Sequence, residues 1–180
     1  MKKVGIYDSG CGGFSVVNQL INLGFQGEIF YYGDTINNPW GNKSKSELQT
    51  ILTDISVWFK TKNVDSIISG CNTTLSLFNH ELTGIFNQPV QNILKQTESF
   101  YNQDQYTVLS TENSCKNKLF SHFLPQKKIQ EIACPNLANL IEKNEMEAAT
   151  SLANNYILKS NYNAIILGCT HYPLIIKYLK

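Results

Sequence analysis

The sequence predicts an α/β protein with two similar lobes, each a parallel sheet flanked by helices, and a ligand cleft between the lobes. Short β-branched runs alternate with helical stripes along the 180 residues. Two of these runs end in the same way, with a glycine followed by a cysteine, at Cys71 and Cys169. A boundary near Asn87 places one cysteine motif in each half, so the predicted lobes are residues 1–87 and 88–180.

The predicted strands are short, apolar and bounded by turn-forming residues. They cover residues 3–7, 28–32, 64–69, 89–93, 106–109, 129–133 and 164–167. Helical spacing of apolar side chains is clearest over 45–60, where Ser44 or Ser46 is the expected N-cap. The other helices are predicted at residues 14–23, 73–83, 96–102, 114–123 and 145–160. Because strands and helices alternate, we expect parallel sheets with right-handed crossovers.

Composition and charge exclude several classes of function. The chain carries 15 basic and 14 acidic residues, a formal net charge of +1, and its lysines are scattered. Proteins that bind nucleic acid usually carry a basic stripe, so neither nucleic acid nor a membrane is an expected partner. Only a short apolar stretch follows Met1, and no apolar run is long enough to cross a bilayer, so a cytoplasmic location is expected.

The five cysteines are an odd number in a chain with no export signal, which predicts free thiols in a reducing compartment. None of them belongs to a CxxC pair. Cys169 and His171 are close in sequence, but no second closely spaced pair completes a tetrahedral zinc site. No metal is therefore predicted. No lysine lies in either cysteine motif, and no cofactor is predicted.

Both cysteine motifs fall where a strand ends. In α/β sheets ligands bind at the carboxyl ends of the strands, so two thiols from distant halves of the chain are expected to flank one pocket. The polar residues after each cysteine offer hydrogen bonds to a small polar substrate. Two facing thiols suit a reaction that removes a proton from one face of a carbon and delivers another to the opposite face. Such a reaction inverts a stereocentre.

Five motifs in order resemble those of the cofactor-independent aspartate/glutamate racemases, and most closely the glutamate racemases. They are DSGCGGFSV at 8–16, YYGDTINNPWGNKS at 31–44, GCNTT at 70–74, CPNLANLIE at 134–142 and LGCTHYP at 167–173. The resemblance implies racemisation of L- and D-glutamate without a cofactor, supplying D-glutamate for peptidoglycan. The small-molecule partner it implies is an acidic amino acid.

Six residues are candidate catalytic groups. Cys71 and Cys169 are the predicted acid/base pair, since a thiol pKa of about 8.5 can be tuned toward neutrality. By resemblance, Cys71 deprotonates D-glutamate with help from Asp8, and Cys169 deprotonates L-glutamate with help from His171 and Glu142. Asp34 is a further candidate from the same resemblance. The alternatives are that Asp8 caps a helix, His171 satisfies a loop carbonyl, and Glu142 is a solvated helix-end charge.

The predicted substrate-binding residues lie in glycine-rich turns and in the polar segments around the two cysteines. They are Ser9, Pro39, Trp40, Gly41, Asn72, Thr73, Thr111, Ser114 and Thr170. The remaining cysteines, Cys11, Cys115 and Cys134, are interpreted as small apolar fillers.

The chain departs from the family pattern at several positions. Trp40 stands where tyrosine is usual, Thr74 where a small residue is usual, and Glu112 adds a negative charge to the segment 110–114. That charge disfavours a dicarboxylate, so the motifs do not fix the substrate, and racemisation of aspartate or another acidic amino acid is the second enzyme interpretation. Family members also continue past the equivalent of Lys180. The alternatives are therefore a truncated ligand-binding or regulatory relative, or a chain whose first lobe is covered by a second copy or by a partner chain.

Overall fold

The computed structural model describes residues 1–179, without the side chains of Gln96 and Glu98. Its strands are β1 (Lys2–Asp8), β2 (Gly27–Gly33), β3 (Ser66–Ser69), β4 (Val90–Asn92), β5 (Gln105–Ser110), β6 (Lys128–Ala133) and β7 (Ile165–Leu167). Its α-helices are α1 (Phe14–Asn22), α2 (Lys45–Lys62), α3 (Asn72–Phe78), α4 (Glu81–Phe86), α5 (Glu112–Lys116), α6 (Leu119–Phe123), α7 (Leu137–Glu142) and α8 (Met146–Ile157). Three 3₁₀ segments, Leu94–Gln96, Glu98–Phe100 and Tyr172–Tyr178, complete the regular structure of the described range.

The strands form two sheets, in the orders β2-β1-β3-β4 and β6-β5-β7. Every pair within these sheets is parallel. The register places Tyr7 of β1 opposite Ser69 of β3, and Leu109 of β5 opposite Leu167 of β7. Because parallel strands share a carboxyl edge, the segments that follow β1, β3 and β7 come together at the sheet ends. The predicted α/β class with two parallel sheets is confirmed.

The first sheet extends past the boundary predicted at residue 87. Val90 of β4 pairs with Ile67 of β3, so the run that was expected to open the second sheet closes the first one. A three-residue strand carries no local signal for the sheet it joins, because its pairing depends on distant residues. The sheet therefore reaches Asn92, and the division into independent lobes stays a prediction.

Two predicted helices are interrupted. The segment 73–83 forms α3 and α4, separated at Asn79, whose φ is 37°. The segment 114–123 forms α5 and α6, separated at Lys118, whose φ is 50°. A positive φ ends the right-handed helical path, although apolar spacing continues beyond it. The predicted helix 96–102 is replaced by short 3₁₀ segments.

Helix α2 begins as predicted. The Ser44 hydroxyl accepts a hydrogen bond from the Glu47 N–H, and the Glu47 carboxylate accepts one from the Ser44 N–H. This reciprocal capping box satisfies two backbone donors that the first turn leaves without partners. Among the described residues, no helix combines the length and apolarity that a membrane span requires.

One apolar core crosses from the first lobe to the second. Phe59 and Phe86 of the first lobe belong to the same buried cluster as Val108 and Phe120 of the second. A second cluster lies beneath α7 and α8. Polar contacts also join the lobes, including the Asn72 side-chain amide, which donates to the Gly168 carbonyl at 3.0 Å. These contacts hold the strand ends of the two sheets against each other.

Candidate active site

The two cysteines of the repeated motifs line one narrow cleft between the lobes, with a cavity volume of about 50 Å³. Cys71 follows β3 and is the N-cap of α3. Cys169 follows β7, two residues before His171, the N-cap of the 3₁₀ segment Tyr172–Tyr178. Their exposed fractions are 5% and 7%. The fold therefore brings two largely buried thiols from opposite lobes to the same space.

Behind Cys169 lies a chain of hydrogen-bonding groups. The Cys169 Sγ is 3.7 Å from Nδ1 of His171, and Nε2 of His171 is 2.5 Å from Oε1 of Glu142. Burial alone lowers the pKa of His171, but its hydrogen bonds to the thiol and the carboxylate raise it to about 11. Burial raises the pKa of Glu142, but the hydrogen bonds from His171 and Cys11 and the charge of His171 together outweigh burial and hold this pKa below its usual value. The pair therefore favours imidazolium and carboxylate beside the Cys169 thiol.

The glycine-rich turn after β1 packs directly on this pair. The backbone N–H of Cys11 donates a short hydrogen bond to the Glu142 carboxylate. A Cβ at Gly12 would lie 2.6 Å from Nδ1 of His171, and a Cβ at Gly10 would collide with Glu142. Side chains at those two positions would push the turn away. The glycines are therefore required for the turn to hold Glu142 and His171 in place.

Asp8, the last residue of β1, is fully buried and does not itself line the cleft, but it contacts Thr170, which does. Its carboxylate accepts hydrogen bonds from the Gly13 N–H at 2.7 Å and from the Thr170 hydroxyl at 3.4 Å. Burial raises the pKa of Asp8, whereas the charge of His171 and these hydrogen-bond donors lower it. The bond to Gly13 places Asp8 next to the residue that precedes α1, and the choice between its catalytic and helix-capping roles stays a prediction.

Cys71 is surrounded by opposing influences. Burial and then the negative charge of Asp8 raise the pKa of the Cys71 thiol to about 12, although backbone hydrogen bonds from Thr74 and Thr73 lower it. In the free protein this thiol therefore holds its proton at neutral pH.

Replacing Asp8 by asparagine should lower the pKa of Cys71. The substitution removes a negative charge while keeping the size of the side chain, so the thiolate forms at lower pH. The check is the rate at which iodoacetamide alkylates Cys71, followed by peptide mass spectrometry between about pH 7 and about pH 10. Asp34→Asn is the matched control and should leave the pH dependence of Cys71 alkylation unchanged. An unshifted profile in Asp8→Asn would show that Asp8 does not control this thiol.

Asp34, the remaining candidate catalytic residue, lies behind the cleft. Its carboxylate accepts hydrogen bonds from Trp40 Nε1 and from the Asn37 side-chain amide, both at 2.9 Å. These bonds tie down the loop that carries Pro39 and Gly41. The geometry supports a positioning role for Asp34, and direct participation in catalysis stays a prediction.

Most predicted substrate-binding residues line the cleft together with the two cysteines. These are Ser9, Pro39, Trp40, Gly41, Asn72, Thr73, Thr111 and Thr170. Thr73 and Thr111 meet across the lobes through their hydroxyls, 2.9 Å apart. Ser114 is fully buried behind Thr111, which donates to its hydroxyl at 3.0 Å. The other predicted residues do not line the cleft themselves. Each either contacts a residue that lines it or is separated from such a residue by one intervening side chain.

Comparison with known proteins decides the family. No protein-family model matches the chain. A glutamate racemase of Carboxydothermus hydrogenoformans is 35% identical, over 98% of this chain and 71% of the relative. A glutamate racemase of Prochlorococcus marinus is 30% identical, over 99% of this chain and 71% of the relative. The chain belongs to the glutamate racemase family. The predicted family and its enzyme class, a racemase and hence an isomerase, are confirmed.

Solved structures agree with this membership. The crystal structure of glutamate racemase from Francisella tularensis, in complex with D-glutamate, superposes with a TM-score of 0.85 at 25% identity. It matches 98% of this family member and 71% of the solved chain. The family fold of two parallel sheets flanked by helices is thus the fold observed here.

Sequence reasoning missed several residues that line the cleft of this racemase family member. They are Asn38, Asn42, Glu112, Cys134, Pro135, Asn136, Ala138, Asn139 and Tyr172. Signals for some of them were available, since Asn38 adjoins Pro39 and Asn136 falls in the motif at 134–142. Cys134 was interpreted as an apolar filler, but it lines the cleft as a third thiol, and burial raises its pKa to about 12. Glu112 brings its negative charge to the cleft wall.

Proposed function

We propose that this chain interconverts L- and D-glutamate by proton transfer through Cys71 and Cys169, without a cofactor. The observation that carries the proposal is the pair of buried thiols that line one cleft from opposite lobes. One thiolate removes the α-proton, and the other thiol delivers its own proton to the opposite face of the same carbon. The two cysteines exchange protonation states in each turnover, and reversal of these roles serves the opposite enantiomer.

The surroundings of the two thiols suit different starting forms. The imidazole of His171 lies beside Cys169, with Nδ1 3.7 Å from Sγ, and is placed to exchange a proton with this thiol. Burial and Asp8 favour the protonated thiol at Cys71. We infer that the free enzyme starts with Cys169 as base and Cys71 as acid. By the family resemblance, this is the form that accepts L-glutamate.

The cleft wall offers hydrogen bonds to an amino acid. The Oδ1 atoms of Asn38 and Asn72 are buried without a hydrogen-bond partner in the described part of the chain. Both side chains line the cleft, so their oxygens are suited to accept hydrogen bonds from a substrate ammonium group. Thr73, Thr111 and Thr170 add hydroxyls that can donate to carboxylate oxygens.

Glu112 favours one alternative that the experiment must include. Glu112 is among the residues that line the cleft, and its negative charge would repel the side-chain carboxylate of a substrate that comes close to it. Aspartate is one methylene shorter than glutamate and would keep its carboxylate at a different distance from Glu112. Aspartate racemisation is therefore tested beside glutamate racemisation.

The test is incubation of the purified chain with each enantiomer of glutamate and of aspartate in D₂O. We expect deuterium to enter Cα of glutamate, as followed by NMR, together with a change of optical rotation. Absence of both signals for glutamate, with exchange of aspartate, would move the proposal to the alternative substrate. No exchange of either amino acid would support a non-catalytic relative that binds a ligand in the cleft.

Glutamate exchange should survive exhaustive metal chelation and need no added pyridoxal phosphate. The two-thiol route uses no electron sink, and no lysine that could hold pyridoxal phosphate is among the described residues that line the cleft. The measurement is the rate of deuterium incorporation before and after treatment with a chelator. A rate that falls on chelation and returns with added zinc would reject the two-thiol route.

The wider setting follows the family resemblance. We propose that the product serves peptidoglycan synthesis in the cytoplasm, with five free cysteines in keeping with a reducing compartment.

Coverage of the first lobe by a second copy or a partner chain also stays a prediction. Apolar side chains exposed on and after α1, at Phe14, Ile21 and Leu23, support it.

A further inference from the structure

One group of metal-ligating side chains lies behind the catalytic cleft. The Sγ of Cys11, the Nε2 or Nδ1 of His171 and a carboxylate oxygen of Glu142 can each supply a ligand atom, and these atoms lie within 4.8 Å of one another. They come from three separate segments, the turn after β1, the end of α7 and the N-cap of the last 3₁₀ segment. The sequence showed none of this proximity, because the nearest two are 29 residues apart.

The donor set indicates which metal would bind. Proteins bind zinc through thiolate, imidazole and carboxylate groups. Three such protein ligands, with the fourth coordination position left open, form a common zinc arrangement. Magnesium and calcium prefer oxygen ligands and would gain little from a thiolate and an imidazole. Cys11 is partly exposed, and the Glu142 side chain is 13% exposed, so an ion can reach the group from solvent.

We propose that Cys11, Glu142 and His171 form a zinc-binding site whose occupation inhibits the racemase. Zinc binding replaces the proton shared between Nε2 of His171 and Oε1 of Glu142 and displaces the thiol proton of Cys11, both protons leaving to solvent. His171 is then a metal ligand through Nε2, while Nδ1 still faces Cys169. The metal then takes the place of the hydrogen bond between His171 and Glu142 and fixes the imidazole that contacts Cys169, so turnover falls.

The inhibitory effect rests on the proposed function, whereas the metal site does not. Zinc binding is therefore measured directly, by isothermal titration calorimetry of the full chain with zinc alone, in a reductant that does not bind metal. Cys11→Ala removes one ligand and keeps the backbone N–H that contacts Glu142. Cys115→Ala is the matched control, because Cys115 is also a partly exposed free cysteine but lies outside the group.

We expect one zinc ion per chain in the unmodified protein and in Cys115→Ala. Loss of an outer-shell partner costs about 10- to 100-fold in metal affinity, so loss of the Cys11 ligand should cost at least about 100-fold. Cobalt in place of zinc should give a thiolate-to-metal charge-transfer band that Cys11→Ala lacks. Glu142→Gln should weaken zinc binding as well, which guards against misfolding of a single variant.

Three outcomes would overturn the site: no zinc binding by the unmodified chain, equal binding by Cys11→Ala, or equal loss in Cys115→Ala. Zinc should also slow glutamate exchange in the unmodified protein and in Cys115→Ala, each compared with its own metal-free rate, and a chelator should restore the rate. Zinc binding without a slower rate would overturn the inhibition. If the metal-free protein shows no exchange at all, the proposed function fails while calorimetry still decides the zinc site.

Discussion

Replacement of Cys71 or Cys169 by serine should abolish racemisation of glutamate. Each thiol carries out one of the two proton transfers, and a serine hydroxyl is too weak an acid and its alkoxide too scarce to replace it. General acid or base catalysis by one positioned group contributes about 10²- to 10⁴-fold, so each variant should lose at least that factor in kcat. The measurement is optical rotation with each enantiomer, after circular dichroism has established that the variant is folded.

Exchange of the α-proton with solvent separates the two thiols more sharply than inversion does. Cys169→Ser keeps the base for D-glutamate, so deuterium should still enter D-glutamate slowly without inversion, whereas exchange of L-glutamate should be lost. Cys71→Ser should show the opposite preference. Cys115→Ser is the control and should retain both reactions. Equal losses in all three variants would indicate damage to folding instead of proton transfer.

Variants of His171 and Glu142 should show that the two residues act as a unit. His171→Asn removes the imidazole that contacts Cys169, and Glu142→Gln removes the carboxylate that raises the pKa of His171. Each change should lower kcat/KM by about 10- to 100-fold, at or below the low end of the about 10²- to 10⁴-fold that a group transferring the proton directly contributes, because these residues act through Cys169. Because Glu142 contacts Cys169 only through His171, the double variant should lose no more than His171→Asn alone.

The double-mutant comparison uses kcat/KM for both enantiomers, since the equilibrium constant between them fixes the ratio of kcat/KM in the two directions. Glu145→Gln is the matched control, because Glu145 is an exposed glutamate three positions beyond Glu142. It should keep full activity. If the two losses multiply in the double variant, His171 and Glu142 do not act as one unit, and Glu142 has an independent role in the cleft.

The sequence alone determined the order of the seven strands of the described range, several of the helices, and the positions of both cysteine motifs. These features depend on residues a few positions apart, such as the apolar spacing of α2 and its Ser44 cap, which the structure reproduces. The predicted ends of β1 and β7 were also within one residue of those observed. Since parallel strands share one edge, this local information was enough to expect Cys71 and Cys169 on the same cleft.

Only the tertiary structure decided which distant groups touch. It assigned β4 to the first sheet, placed Asp34 behind Trp40, and brought Cys134 into the cleft wall. It also joined Glu142 to His171 and set the Cys11 thiol beside both. These contacts link segments far apart in the chain, and each depends on how two sheets and a shared core pack together. Local residue patterns predict which residues end a strand, but they do not predict how distant segments pack against each other.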